Sequence, residues 1–376
     1  MPVQIKAVNS KKELKIFVRF ANDMYKGNNY YVPAIVFDEL STFDKNKNGA
    51  FEFCDSQLYL AYKDGKVVGR VAAIINHKAN ERWNVRQVRF GWIDFIDDIE
   101  VSTALLGAVA DFGKAHGMNQ IVGPLGFTDF DPEGMLVEGF DRVSTMALIY
   151  NHPYYPEHLK KLGFGKETGW IEYRITIPEI TSERHLNLAK AVQERYDLRI
   201  LKLSRREIIK QGYGRKFFEL INQTYCNLYG FSLLSDKQID CYVNLYLGLI
   251  DTKMITFVEN NQGELIGAVA AIPSLSKALQ KNRGELFPFG WWHIFKAMFL
   301  KYSETLELLL VGVRPDYQNC GVNSLIICDL IEHFRKLGFK YAETNAMLES
   351  NDKIQAMLRP FDKEQHKARW IFGKEI

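Results

Sequence analysis

The chain repeats itself, and the repeat limits the folds open to it. Residues 65–74, GKVVGRVAAI, return as residues 263–272, GELIGAVAAI. Each run follows an apolar strand, QLYLAYKD in the first case and MITFVENNQ in the second, and reads as a hairpin with glycine in its turn. Asn22 and Tyr25 recur as Asn222 and Tyr225 inside amphipathic stretches. Two matches at nearly the same offset mean that one order of elements occurs twice: helix, hairpin, long strand, helix, strand, helix. A length of 376 residues also exceeds one typical core. The first unit ends near Pro178, after WIEYRITI. A helix is predicted over 182–196 with Ser182 as N-cap, and LRILKL opens the second unit. The expected division is 1–178 and 179–376, a tandem pair packed together without a disordered linker.

The richest stretch lies in the second unit. Residues 306–339 combine an apolar strand, Val313-Arg314-Pro315, the turn Gln318-Asn319-Cys320-Gly321-Val322-Asn323, and an amphipathic helix. Strand, glycine turn and helix N-terminus in that order aim backbone N–H groups and the positive end of the helix dipole at one point, which suits a pyrophosphate. There is no GxxxxGK[ST] and no GxGxxG, so neither a P-loop nor a dinucleotide fingerprint is present. A strand ending in V-x-P-x-x-Q-x-x-G resembles the acyl-CoA motif of the GCN5-related N-acetyltransferase (GNAT) superfamily. There Q/R-x-x-G-x-G/A holds the pyrophosphate of coenzyme A. Gln318 and Gly321 match, and Asn323 stands where Gly or Ala is usual.

The resemblance implies an α/β (α+β) fold of two tandem GNAT-like domains, each a mixed, mostly antiparallel sheet flanked by helices. It also implies acyl-CoA as co-substrate, with Val311, Val313, Gln318, Asn319, Cys320, Gly321, Val322, Asn323 and Asn351 in its binding site. The first copy lacks the cradle: its long strand, VRFGWIDFID, runs into Asp97-Asp98-Ile99-Glu100. Three carboxylates repel a pyrophosphate but favour an empty helix N-terminus. Two further segments, GPLGFTDFDPEG at 123–134 and LFPFGW at 286–291, together with Glu343, Leu348, Glu349 and Asn351, are similar to a bacterial group of tandem GNAT-like proteins. Bacterial ceramide synthases are GNAT relatives, so a lipid amine belongs among the acceptor classes.

Amide formation from a thioester needs a base for the amine proton, a donor for the oxyanion and an acid for the thiolate. In GNAT enzymes the oxyanion donor is a backbone N–H near a bulge in the long strand. The expected place is 310–313, with Gly312 free to bend. Glu343, on the strand KYAETNAM, and Glu349, where that strand leads into the last helix, are the candidate bases, with Glu343 preferred. The bland readings remain beside them: a solvated Glu343, Glu349 near a helix start and Asn351 as its cap. The tyrosine that many GNAT enzymes place on the last helix is replaced by Leu358, and Tyr154 or Tyr155 of the first copy are the tyrosines able to reach across. Leu358 and Asn323 leave open a second function, a non-catalytic acyl-CoA or metabolite-binding protein.

Bulk properties exclude several other classes. A formal net charge of +3 is too small to argue for nucleic acid. Five cysteines, odd in number and without a CxxC pair, read as reduced thiols of a cytoplasmic protein. The N-terminus carries no basic and apolar leader, and no uncharged run reaches membrane-span length. No HExxH or paired metal spacing occurs, and no metal is expected. Residues 44–55 resemble a calcium loop, but Asp55 stands in place of Glu and a strand follows. Residues 287–299, FPFGWWHIFKAMF, are unusually aromatic. Three readings are open for them: packing over the sheet, a wall for a long acyl chain, or a peripheral membrane contact.

Overall fold

The computed structural model describes residues 2–376, the side chains of 247–249 apart. The first sequence half contributes strands β1 (Gln4–Ala7), β2 (Cys54–Lys63), β3 (Lys66–Asn76), β4 (Gln87–Phe95), β5 (Gln120–Gly123), β6 (Met135–Glu138) and β7 (Gly165–Thr176). The second contributes β8 (Arg199–Leu201), β9 (Ile255–Glu259), β10 (Leu265–Pro273), β11 (Thr305–Val313), β12 (Tyr341–Thr344), β13 (Met347–Leu348) and β14 (Lys363–Glu375).

All of them join one sheet in the order β1-β2-β3-β4-β5-β14-β7-β12-β11-β10-β9-β8, with β6 on β14 and β13 on β7. Among the described residues only β4–β5 and β11–β12 are parallel, and they hold matching places in the two halves. The sheet is therefore mixed and mostly antiparallel, with a pseudo-two-fold relation about its centre.

At the centre the copies exchange their last strands. β14 pairs with β5 of the first half, and β7 pairs with β12 of the second. The exchanged strands also pair with each other from Lys363↔Ile175 to Gly373↔Gly165. Their shared core is charged. Arg369 Nε meets Glu172 Oε1 at 2.5 Å and Lys367 Nζ meets Glu172 Oε2 at 3.3 Å, all fully buried. Burial alone would raise the pKa of Glu172, but Arg369 and Lys367 outweigh it and hold it low. Removing one partner of such a group costs roughly 3–5 kcal/mol.

The repeat persists in detail. Asn22 Nδ2 donates to Ala34 O and Asn222 Nδ2 to Leu234 O, each at 3.1 Å and each closing the same length of chain. The first hairpin turns through Asp64 and Gly65, both at positive φ, as a two-residue turn requires. Ser182 caps the helix Glu183–Tyr196 by accepting from His185 N, as predicted. In the first half, apolar residues of β3 and β4 pack on the helix Ile99–Ala115. In the second, the helix Val322–Lys336 covers one face, and the helices Tyr213–Tyr225 and Asp236–Leu249 cover the other.

Candidate functional site

β11 and β12 run together only from Thr305↔Tyr341 to Leu308↔Thr344. Beyond Leu308 the strands splay. Asn345 N donates back to Leu308 O at 3.1 Å, and the chain turns away to β13, which pairs with β7 instead. The splay coincides with a bulge. Ala271 faces Leu308 and Ala270 faces Leu310, so Leu309 is the extra residue. The bulge thus lies just before 310–313, the stretch expected to hold the oxyanion donor, and Gly312 does not make it. A Cβ at Gly312 would lie 3.2 Å from Thr224 Oγ1, so the glycine lets the helix Tyr213–Tyr225 pack close to the strand.

That helix reaches into the splay. The Tyr225 hydroxyl donates to Val311 O at 3.1 Å, and Val311 N–H points back at it across 3.4 Å. Val311 therefore presents its peptide group to the gap rather than to β10. In the first copy the corresponding gap is filled. Phe95 N–H donates to the Tyr155 hydroxyl at 3.0 Å, Tyr25 OH donates to Tyr155 at 2.9 Å, and Tyr154 OH donates to Phe95 O at 2.6 Å. Tyr154 and Tyr155 are thus held in their own half and do not reach across.

The glycine turn follows β11 as expected. Gly321 has φ +80° and precedes the first turn of the helix Val322–Lys336. Among the described residues, no protein acceptor takes the backbone N–H groups of Gly321, Val322 or Asn323. Gln318 Nε2 donates to Val313 O at 3.2 Å, and Lys353 Nζ donates to Gln318 Oε1 at 3.2 Å. Unpaired N–H groups at a helix N-terminus, with a lysine on the neighbouring Gln318, are donors that suit a pyrophosphate. Val313 and Val322 are buried in the core behind the turn, Cys320 is half-buried, and Asn319 is exposed. At the matching place in the first half, Asp98 caps its own helix through Glu100 N, and Lys63 binds Asp98 at 2.6 Å and Glu100 at 3.1 Å. That end is closed internally.

A cavity of about 260 Å³ opens from the splay and runs between the two halves. Its walls are apolar, with Phe217, Phe218, Phe231, Phe257 and Ile255 on one side and Leu308 to Val311 on another. Asn351, Met357 and Leu358 close it from the helix Asp352–Leu358. Where a tyrosine was expected, Leu358 adds only an apolar surface. Polar groups enter from the first half: Asp129, Asp131 and Glu133.

These carboxyls differ in their partners. Asp129 Oδ2 accepts from Ser232 N at 3.3 Å, and Asp131 Oδ2 accepts from Thr128 N at 2.9 Å. Glu133 has no hydrogen-bond partner among the described residues. Burial pushes Asp131 up to about 6, and burial together with the charge of Asp129 pushes Glu133 well above the usual carboxylate range. Asp129 is raised by burial as well, with Arg89 opposing. Tyr229, within reach of the Glu133 charge, has a buried hydroxyl with no well-formed hydrogen bond, Gln87 being a polar side chain near it, and burial pushes its pKa up to about 12. An apolar cavity holding three carboxyls of raised pKa favours a cation, since an ammonium ion would relieve their mutual repulsion.

The two predicted bases lie elsewhere. Glu343 alternates with the cavity-lining Thr344 and turns to the other face of the sheet, 3.6 Å from Lys367. Burial raises its pKa and Lys367 opposes. Glu349 is exposed and ion-paired with Lys166 at 2.7 Å, outside the cavity lining. Asn351 caps its helix through Ile354 N at 3.3 Å and also lines the cavity. Residues 287–299 do not line the cavity either, and most of their aromatic rings are exposed. Asp55, at the end of the calcium-like loop, lies on β2 bound to His77 at 2.8 Å. The acids that do enter the cavity belong to the DFDPE run at 129–133, whose signal was a cluster of carboxyls between two glycines in the half without a cradle.

Splayed strand, bulge, glycine turn and strand exchange together define a tandem protein of the GNAT fold. The chain superposes on a tandem GNAT protein from the clavulanic acid biosynthesis pathway with a TM-score of 0.53 at 9% identity, covering 99% of this chain and 98% of that one. It superposes on a GCN5-related glucosamine N-acetyltransferase region of a fungal multi-domain GH3 beta-N-acetylglucosaminidase with a TM-score of 0.56 at 12% identity, covering 99% of this chain and 38% of that one. In sequence it is 26% identical over 374 residues to Protein YghO of Escherichia coli (strain K12), spanning 98% of this chain and 94% of that protein. It is 23% identical over 378 residues to a protein named bacterial ceramide synthase from Caulobacter vibrioides (strain NA1000 / CB15N), spanning 98% and 96%. No family model matches the chain.

Proposed function

We propose that the chain is an acyl-CoA-dependent N-acyltransferase whose acceptor is a lipid amine. The observation that carries the reading is the apolar cavity between the halves, with a splayed strand on one wall and a carboxyl cluster on another. The free N–H groups of Gly321, Val322 and Asn323, with Gln318 and Lys353 beside them, hold the pyrophosphate of the co-substrate. The thioester supplies an activated acyl group, and its chain lies against Phe217, Phe231 and Phe257. The similarity to the Caulobacter protein supports an amine with a long apolar tail, as do the apolar walls.

The chain's own groups divide the chemistry. Val311 N–H, released from Tyr225, donates to the oxygen that gains charge as the amine attacks. Glu133, free of protein donors and made more basic by burial, takes the proton of the amine. Tyr229, whose hydroxyl makes no well-formed hydrogen bond in the protein, gives a proton to the departing thiolate. Glu343 and Glu349 hold strands and helix in place through Lys367 and Lys166.

Incubating the purified protein with palmitoyl-CoA and a long-chain amino alcohol tests the reading. Amide and free CoA in equal amounts are expected by mass spectrometry. Tight acyl-CoA binding without turnover for any amine would favour the second reading, a non-catalytic binding protein, to which Leu358 in the tyrosine position points.

A further inference from the structure

We propose that residues 286–301 form a docking face for an anionic lipid bilayer. The segment is an addition peculiar to the second copy. The first copy joins β3 to β4 through residues 77–86, whereas the second joins β10 to β11 through residues 274–304. One side of this insertion is anchored: Leu275, Leu279 and Met298 are buried against Val32 of the first half. The other side is not. Phe287 is 81% exposed, Phe289 71%, Leu300 61%, Trp291 49%, Trp292 43% and Phe295 41%. The rings are continuous, with Trp291–Trp292 and Trp292–Phe295 each at 5.8 Å and Phe295–Phe299 at 5.2 Å between centroids. Scattered apolar residues are normal on a surface, but a contiguous aromatic patch is a place of interaction. Tryptophan and phenylalanine suit the bilayer interface.

Charge selects the occupant. Lys277, Lys281, Arg283, Lys296 and Lys301 lie on the same insertion as the patch, are exposed, and make no ion pair among the described residues. Residues 286–301 contain no acid, and the two acids that flank them are each paired, Glu285 with Arg19 at 2.7 Å and Glu304 with Lys340 at 2.6 Å. A second copy of the chain would bring these cations against their equals, whereas anionic headgroups complement them. Among the described residues no helix is long and apolar enough to cross a membrane, so the contact is peripheral.

The face also connects to the cavity. Ser276 Oγ donates to Ser144 O at 2.9 Å, and the loop that begins at Ser144 lines the cavity through Ala147 and Leu148. An amphiphile leaving the bilayer would meet that loop first. The docking itself rests on exposure and charge, and it stands whether or not the acyl-transfer reading does.

Sedimentation with sucrose-loaded vesicles tests it on the whole chain. One set of vesicles is phosphatidylcholine alone, and the other contains about one third phosphatidylglycerol. Wild-type protein should sediment with the anionic set, and less so as salt rises. Lys296→Gln/Lys301→Gln should bind about 30-fold more weakly, from a factor of about five per cation. Phe289→Ser/Trp292→Ser, on exposed positions that keep the fold, should fall to the level of neutral vesicles. Absence of wild-type sedimentation, equal binding to both sets, or unchanged binding by both variants would overturn the proposal. So would a wild-type dimer in analytical ultracentrifugation that the Phe289→Ser/Trp292→Ser variant loses.

Discussion

Glu133→Gln removes one ionisable group from the cavity while keeping its size and shape. If Glu133 takes the amine proton, its loss lowers kcat/KM by roughly 100-fold or more, or about 2.7 kcal/mol of transition-state stabilisation. The stability effect runs the other way. Burial raises the Glu133 pKa, so the folded state binds this proton more tightly than the unfolded state does. Its contribution to stability is present at low pH and is lost as pH rises from the ordinary carboxylate range through the raised value. Gln carries no such loss, so above that window the variant should melt at the same temperature as wild type or higher. The CoA cradle lies on separate elements, and CoA affinity should stay within about threefold. Steady-state kinetics from pH 5 to 9, thermal melts over the same range and calorimetry with CoA make the test. Wild type should show a rising limb in log kcat/KM, and the variant should lack it. A variant that keeps full activity, or that loses activity and stability together, would refute the reasoning.

Other outcomes follow from the same geometry. Gly321→Val puts a β-branched residue at φ +80° with its Cβ 2.8 Å from Val192 Cγ2, so it should lower stability by about 1–2 kcal/mol and abolish CoA binding. Unchanged calorimetric binding would place the pyrophosphate elsewhere. Tyr229→Phe should reduce kcat by roughly 10-fold or more with stability nearly unchanged, because the hydroxyl makes no well-formed hydrogen bond in the protein; undiminished kcat would leave the thiolate to water. Glu343→Gln should retain turnover within about threefold, since its carboxylate faces Lys367 across the sheet from the cavity; a pH-dependent collapse of kcat would restore it as the base. Acyl-CoA affinity should rise by about fourfold per added methylene until the apolar walls are covered, at about 0.8 kcal/mol each, and a series flat from acetyl to palmitoyl would contradict that.

Local chemistry made much of this legible in the sequence. The glycine turn at Gly321, the cap at Ser182 and the repeated hairpins are set by residues close together in the chain, and they stand where the spacing put them. Asn22 and Asn222 were visible as a repeat because each bonds to a carbonyl a fixed distance ahead. What sequence left open depends on which face of a strand meets the gap. Glu343 and Thr344 are neighbours, and alternation sends one to Lys367 and the other to the cavity. Nothing in KYAETNAM chooses between them without knowing what covers each face. Gly312 offered a reason for the strand to bend, while the extra residue proved to be Leu309. The carboxyls at 129–133 were missed because a site built between halves draws on a segment that local pattern assigns to the half without a cradle. The aromatic run at 287–299 carries no periodic mark that separates a buried wall from an open one.

The exchanged last strands bear on how such a chain is made. Gln120 in β5 pairs with Glu375, which is synthesised long after it. At ordinary rates of translation the first half leaves the ribosome on the order of tens of seconds before that partner exists. Through that interval the edge of β5 is open, and so is the edge of β7 that will take β14. An uncovered edge invites pairing with another chain, and two nascent copies could satisfy each other's edges. Glu172 on β7 awaits both Lys367 and Arg369 from the same late strand, and a foreign strand without those cations would leave it as an unpaired buried charge. The charged cluster at the sheet's centre thus acts as a proofreading mark, admitting a strand that carries both cations and disfavouring strands of other sequence.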